Sequence, residues 1–162
     1  MPASNVTPID PARQRSEELR RKVVAGTLGK LTPADWDMLM ARAEHRAYHY
    51  NDVILHQGSV GEALFAIADG EVRIEREITG RSAQLARLGP GSVFGEMSLL
   101  DEAGASASVI ADGKVEVIYW AGADLAALLR GDPGFAARFY QSLATTLSRR
   151  LRATNDLILG RF

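Results

Sequence analysis

Glycine-separated short β-rich runs fill the middle of this chain, and they limit its fold more than any other feature. Residues 46–50, 53–56, 63–67, 71–78, 83–88, 107–111 and 115–120 are rich in β-branched, aromatic and other apolar side chains. Gly58, Gly70, Gly80, Gly89, Gly91 and Gly113 punctuate them. Strands this short, at this spacing, predict an antiparallel sandwich, roll or barrel. Val72, Ile74 and Ile78 alternate with Glu71, Arg73, Glu75 and Glu77, the pattern of a strand exposed on one face. There is no internal repeat.

Helical periodicity flanks this region on both sides. Residues 11–28 form a charged, weakly apolar helix, with Gly29 as a plausible stop. A second helix opens on Thr32 as N-cap, Pro33 at the first position and Asp35 at N3, which is close to a capping box. Trp36, Leu39 and Met40 then share its buried face. After Trp120, residues 123–130 make a short helix that ends at Gly131-Asp132-Pro133. A longer one runs over 134–159 with a narrow stripe of Tyr140, Leu143, Leu147, Leu151, Thr154 and Ile158. That stripe has coiled-coil spacing and predicts a seam between two parallel copies; packing on its own barrel is the other reading.

Composition removes several function classes. The 162 residues suit one domain with a core large enough to need no covalent staple. Without cysteine there is no disulfide framework, zinc ribbon or thiol nucleophile. Nineteen basic against twenty acidic residues argue against a dedicated nucleic-acid binder. No apolar run is long enough to span a bilayer, and the N-terminal residues lack a signal-peptide core. The expectation is a soluble, cytoplasmic protein.

One stretch carries chemistry. Phe94-Gly95-Glu96-Met97-Ser98-Leu99-Leu100, followed by Ala107-Ser108-Val109-Ile110-Ala111, is similar to the phosphate-binding cassette of cyclic nucleotide-binding domains. Upstream, Ile54-Leu55-His56-Gln57-Gly58, Leu64-Phe65-Ala66-Ile67 and Gly70 resemble the β-roll of that family. Downstream, Arg149-Arg150-Leu151-Arg152-Ala153-Thr154-Asn155 resembles the C-helix of its catabolite activator group. The residues themselves fit this reading. Gly95 lets backbone approach a ligand, and residues 96–100 can form a helical turn whose first N–H groups lack partners. Glu96, an acceptor when ionised, suits a ribose hydroxyl, the role the resemblance gives it. Thr154 matches a threonine that contacts adenine in the catabolite activator group. Asn155 offers an amide beside it, with the base held between the roll and two C-helices.

The departure from the family is at Ala105. There the family places an arginine that forks onto the cyclic phosphate, and here alanine is followed by Ser106. No lysine or arginine occurs between Arg87 and Lys114. Hydrogen bonds to a charged group contribute about 1.5–3 kcal/mol each. A missing two-bond fork thus removes about two to four decades of affinity. Arg73 or Arg87 is left as a distant substitute.

Other patterns are set aside. His45 and His49 share a strand face but lack a third metal ligand. Asp35 and Asp37 point in different directions on a helix. Neither a Gly-x-Ser-x-Gly elbow nor a P-loop occurs, and no base, nucleophile and oxyanion donor can be grouped into an enzyme site. A metal-holding cupin lacks its clustered histidines. Arg130-Gly131-Asp132 reads as a helix end, and the basic clusters at 20–22 and 149–152 read as solvated helix faces.

The sequence therefore predicts an α+β fold: an antiparallel β-roll, double-stranded and jelly-roll-like, with N-terminal helices and a long C-terminal helix. Its parts are residues 1–43 (helical), 44–132 (the roll, cassette and short helix) and 133–162 (the C-helix). The resemblance implies a non-enzymatic regulatory domain without cofactor or metal, whose possible ligand is cyclic AMP or another cyclic nucleotide. The ligand residues would be Gly95, Glu96, Met97, Ser98, Ala105, Ser106, Ala107, Thr154 and Asn155. Homodimerisation through the C-helix is expected, with output to an effector protein, since the chain to Phe162 has no room for a helix-turn-helix that binds DNA. The alternative is a degenerate roll that binds no nucleotide and serves for dimerisation or docking.

Overall fold

The computed structural model describes residues 10–60, 63–101 and 103–160. In chain order they form α1 (Pro11–Gly26), α2 (Pro33–Met40), β1 (Glu44–Tyr48), β2 (Val53–Leu55), β3 (Ala63–Asp69), β4 (Val72–Ile78), β5 (Arg81–Leu88), β6 (Val93–Phe94), α3 (Glu96–Asp101), β7 (Ser108–Ala111), β8 (Val115–Ala121), α4 (Gly122–Gly131) and α5 (Pro133–Leu159). Two antiparallel sheets, ordered β1-β8-β3-β6 and β2-β7-β4-β5, make the roll. This is the predicted architecture.

Period-two alternation explains why β3 and β8 are apolar along almost their whole length. Phe65 and Ile67 of β3, with Val115 and Val117 of β8, point into the roll beside Val72, Val109 and Ala111. Leu64, Ala66, Ile118 and Trp120 point the other way, into a second core shared with the helices. A strand buried on both faces needs no polar face. β4 differs: Val72 is buried at its start and Ile78 is 55% exposed at its end, where the β4–β5 hairpin leaves the roll.

The helices close the second core. Thr32 and Asp35 form the full capping box of α2. The Trp120 indole N–H donates to the Leu39 carbonyl at 2.9 Å, which ties α2 to β8. α1 stops at Gly26, two residues earlier than predicted. The Thr27 and Leu28 N–H groups both return to the Val23 carbonyl, and Leu28 turns inward to full burial. α5 starts on Asp132, whose carboxylate accepts from the Phe135 N–H at 2.9 Å, and its 27 residues extend about 40 Å.

The first half of α5 packs on its own domain along a face that shares Leu143 with the predicted stripe but is rotated away from Tyr140. The buried residues are Phe135, Phe139, Ser142, Leu143 and Thr146, while Tyr140 is exposed. From Leu151 to Gly160 every residue is exposed, so the distal turns project beyond the roll.

Candidate functional site

The site begins where β6 meets β3. Phe94 pairs with Phe65, and their rings stack with centroids 4.8 Å apart. This pairing, which two residues are too short to announce in sequence, fixes the point where the chain turns into α3. Gly95 makes the turn at φ +86°, and a Cβ there would lie 2.5 Å from the Ala63 carbonyl oxygen. The need for glycine thus arises from close approach to β3. This reason stands beside the ligand approach expected from the sequence.

The segment before β7 forms the facing wall. The Ala105 carbonyl accepts from the Gly58 N–H at 2.7 Å, and the Ala105 N–H donates to the Ser59 carbonyl at 3.0 Å. Both backbone groups are used, so the Ala105 methyl has a fixed direction. Ala105 and Ala107 are buried, and the exposed Ser106 hydroxyl reaches the Met97 sulfur at 3.6 Å.

Between these walls lies a cavity of about 220 Å³. The cassette contributes Gly95, Glu96, Met97, Ala105, Ser106 and Ala107 to it, so six of the predicted site residues come together. The strands contribute Leu55, Ile74, Ala86, Leu88, Phe94 and Val109, all apolar. Ser98 lies in the same helical turn as Glu96. Thr154 and Asn155 are elsewhere, on the exposed part of α5, where the Thr154 hydroxyl donates to the Arg150 carbonyl at 3.0 Å.

Arg150 is the residue that sequence reasoning missed. It reaches from α5 into the cavity wall and donates from Nη1 to Glu96 Oε1, and from Nη2 to the Val93 carbonyl at 2.8 Å. The cluster at 149–152 is therefore not simply a solvated face. Glu96 is 4% exposed, and a carboxylate so enclosed needs a partner of opposite charge. Arg150 is that partner, and it couples the cassette to the C-helix.

The two distant arginines are held elsewhere. Arg73 contacts Glu75 at 2.7 Å, Asp112 at 3.3 Å and the Asn51 side-chain oxygen at 2.5 Å. The Glu75 hydrogen bond pushes its guanidinium pKa further up. Arg87 reaches Asp112 at 2.7 Å and Glu71 at 3.6 Å. Neither lines the cavity. Among the described residues no three His, Cys, Asp or Glu side chains gather as metal ligands, and no helix is long and apolar enough to cross a membrane.

Comparison with known proteins decides the family, because the cyclic nucleotide-binding domain profile matches residues 45–132. This chain belongs to the cyclic nucleotide-binding domain family. A cyclic AMP receptor protein from Thermus thermophilus is 41% identical over 123 residues, covering 75% of this chain and 55% of the receptor. The crystal structure of Thermus thermophilus catabolite activator protein matches with a TM-score of 0.67 and 38% identity, covering 86% of this chain and 62% of that one. A cyclic nucleotide-binding domain from Methylobacillus flagellatus KT matches with a TM-score of 0.82 and 26% identity over 92% of this chain and 85% of its own. The chain thus spans about half the length of the curated receptor. As a cyclic nucleotide-binding domain it has the family's roll, cassette turn and C-helix. At the position where the sequence resemblance implies a phosphate-binding arginine, Ala105 lines the cavity, and Arg150 is bound to Glu96.

Proposed function

We propose that this domain is a regulatory module in which a small molecule held behind the cassette is read out by α5, acting without catalysis. The Arg150–Glu96 link carries the reading. It spans 54 residues and joins the cavity wall to a helix whose distal turns are exposed throughout. An occupant that moves Glu96 must shift Arg150 and with it the distal turns of α5. The ligand seat comprises Gly95, Glu96, Met97, Ser98, Ala105, Ser106 and Ala107, the family ligand being a cyclic nucleotide. The distal stripe is the dimer seam, with Thr154 and Asn155 within it, and the signal leaves through an effector protein. The described residues of the 1–43 segment brace the roll, the 44–132 segment holds the ligand and the 133–162 segment reports.

The second reading, a roll that docks or dimerises without a ligand, draws its support from Ala105. One experiment separates the two. Ala105→Arg restores the phosphate fork, so the variant is loaded with cyclic AMP and hydrogen exchange is followed over residues 147–159. Binding is expected to change exchange there, and Arg150→Gln on the same background is expected to abolish that change while binding persists. Saturation with no response in α5 favours the passive module. Absence of binding overturns the placement of the cassette.

A further inference from the structure

We infer that the cavity behind the cassette takes an uncharged, largely apolar small molecule rather than a nucleotide anion. The inference rests on the cavity being a ligand seat and adds the class of ligand. Its first support is charge. Among the described residues, Arg150 is the one cation in the lining, and its charge is already balanced by Glu96. A phosphate monoanion entering this space raises the enclosed charge to −1. It must either remain without a partner or take Arg150 from a carboxylate that is 5% exposed. Both courses leave an enclosed anion uncompensated, which is the expensive condition for any binding site. An uncharged occupant leaves the ion pair intact.

The second support is that the two arginines offered by the sequence as substitutes are held elsewhere. Arg73 and Arg87 are each committed to carboxylates away from the cavity, Asp112 being common to both. Recruiting either to a phosphate would abandon those pairs. The third support is the surface offered. Leu55, Ile74, Leu88, Phe94, Ala105 and Val109 present hydrocarbon, and Ser106 places one hydroxyl at the edge. Apolar walls with a few fixed polar groups are the usual makeup of a small-molecule site. At about 220 Å³ the space suits a compact aromatic or aliphatic molecule with one hydrogen-bonding group.

The probe for this class is N-phenyl-1-naphthylamine, which is neutral at pH 7 and fluoresces on leaving water. Titration into the wild-type chain is expected to saturate, and millimolar cyclic AMP is expected not to displace it. Ala105→Arg is then expected to weaken the probe by at least about tenfold, since the new guanidinium fills and charges the apolar wall. The same substitution is expected to strengthen cyclic AMP, so one change moves the two ligands in opposite directions. Ala105→Leu, checked by its melting temperature for an intact fold, is expected to weaken the probe by occupying volume alone. The inference is overturned by any of three results: no saturable binding, displacement of the probe from the wild type by submillimolar cyclic AMP, or equal probe affinity in a well-folded Ala105→Leu. A failed probe titration beside a responsive α5 in the cyclic AMP-loaded Ala105→Arg variant removes this inference and leaves the regulatory reading standing. Probe binding beside an unresponsive α5 does the reverse.

Discussion

Arg138 of α5 grips Asp35 of α2 with two hydrogen bonds, Nε to Oδ2 at 2.6 Å and Nη2 to Oδ1 at 2.8 Å. The same Asp35 Oδ2 accepts from the Thr32 N–H at 2.9 Å, so one carboxylate caps α2 and anchors α5. This pair is the first rung of a polar row at four-residue spacing. Ser142 Oγ accepts from the Lys30 N–H at 3.0 Å, the Thr146 hydroxyl donates to the Thr27 carbonyl at 2.9 Å, and Arg150 holds Glu96. Residues four apart share a helix face, so the row fixes α5 in rotation as well as position.

The first prediction concerns acid stability. The Arg138 hydrogen bonds hold the Asp35 carboxyl down to about 2 from its usual 3.8, with the Thr32 N–H helping and burial opposing. A depressed carboxylate contributes stability that is complete above the unfolded value and is lost as pH falls through the folded one. The window is therefore pH 4 to 2. Because Arg138 is partly open to solvent, the contribution is about 1–2 kcal/mol. Asp35→Asn should melt several degrees lower than wild type at pH 6, and the gap should close towards pH 2. Parallel melting curves across that range would contradict it.

The second prediction separates two glycines of similar backbone angle. Gly95 and Gly80 sit at φ +86° and +74°, but a Cβ at Gly80 meets nothing within 4 Å. Gly80→Ala should cost the left-handed penalty alone, about 1–2 kcal/mol. Gly95→Ala adds overlap with the Ala63 carbonyl, about 1–3 kcal/mol more, and should push the cassette off β3. Urea titration of the two variants measures the difference; equal midpoints would show that the turn at Gly95 relaxes freely.

Most of the fold was legible because its signals are local. The Thr32–Asp35 box, the Asp132-Pro133 start of α5 and the glycine-bounded strands each lie within a few residues. Arg150 was not legible, because its role depends on the rotational phase of a long helix. Tyr140, Leu143, Leu147 and Leu151 give one phase; the structure keeps Leu143 buried but adds Phe135, Phe139, Ser142 and Thr146, which rotates the buried face away from Tyr140. That shift carries Arg150, four residues beyond Thr146, onto the cassette and leaves Arg149 and Arg152 exposed. The row Arg138, Ser142, Thr146, Arg150 was the available signal, and an apolar search passes over it. β6 escaped for a different reason: Val93 and Phe94 are too few to show alternation.

The third prediction is the affinity gained at Ala105. Its backbone is held by Gly58 and Ser59, so a longer side chain starts from a defined position at the cavity wall. A guanidinium fork there should add two charged hydrogen bonds and raise cyclic AMP affinity by about two to four decades. Calorimetric titration of wild type and Ala105→Arg provides the comparison. Equal affinities would mean that the phosphate seat lies elsewhere.

The fourth prediction concerns the projecting end of α5. Leu151 is 63% exposed and Ile158 54% exposed, although both lie on a stripe with coiled-coil spacing. Their side chains meet little of their own domain, so burying them requires a second helix. Light scattering at tens of micromolar should therefore report a dimer. Leu151→Glu with Ile158→Glu should place carboxylates on the seam and give a monomer. Because these residues contribute little to either core, the monomer should keep the wild-type far-ultraviolet spectrum and nearly the same melting temperature. A wild-type chain that stays monomeric at that concentration would remove the seam. A variant that melts far below wild type would instead show that the distal turns pack against their own roll.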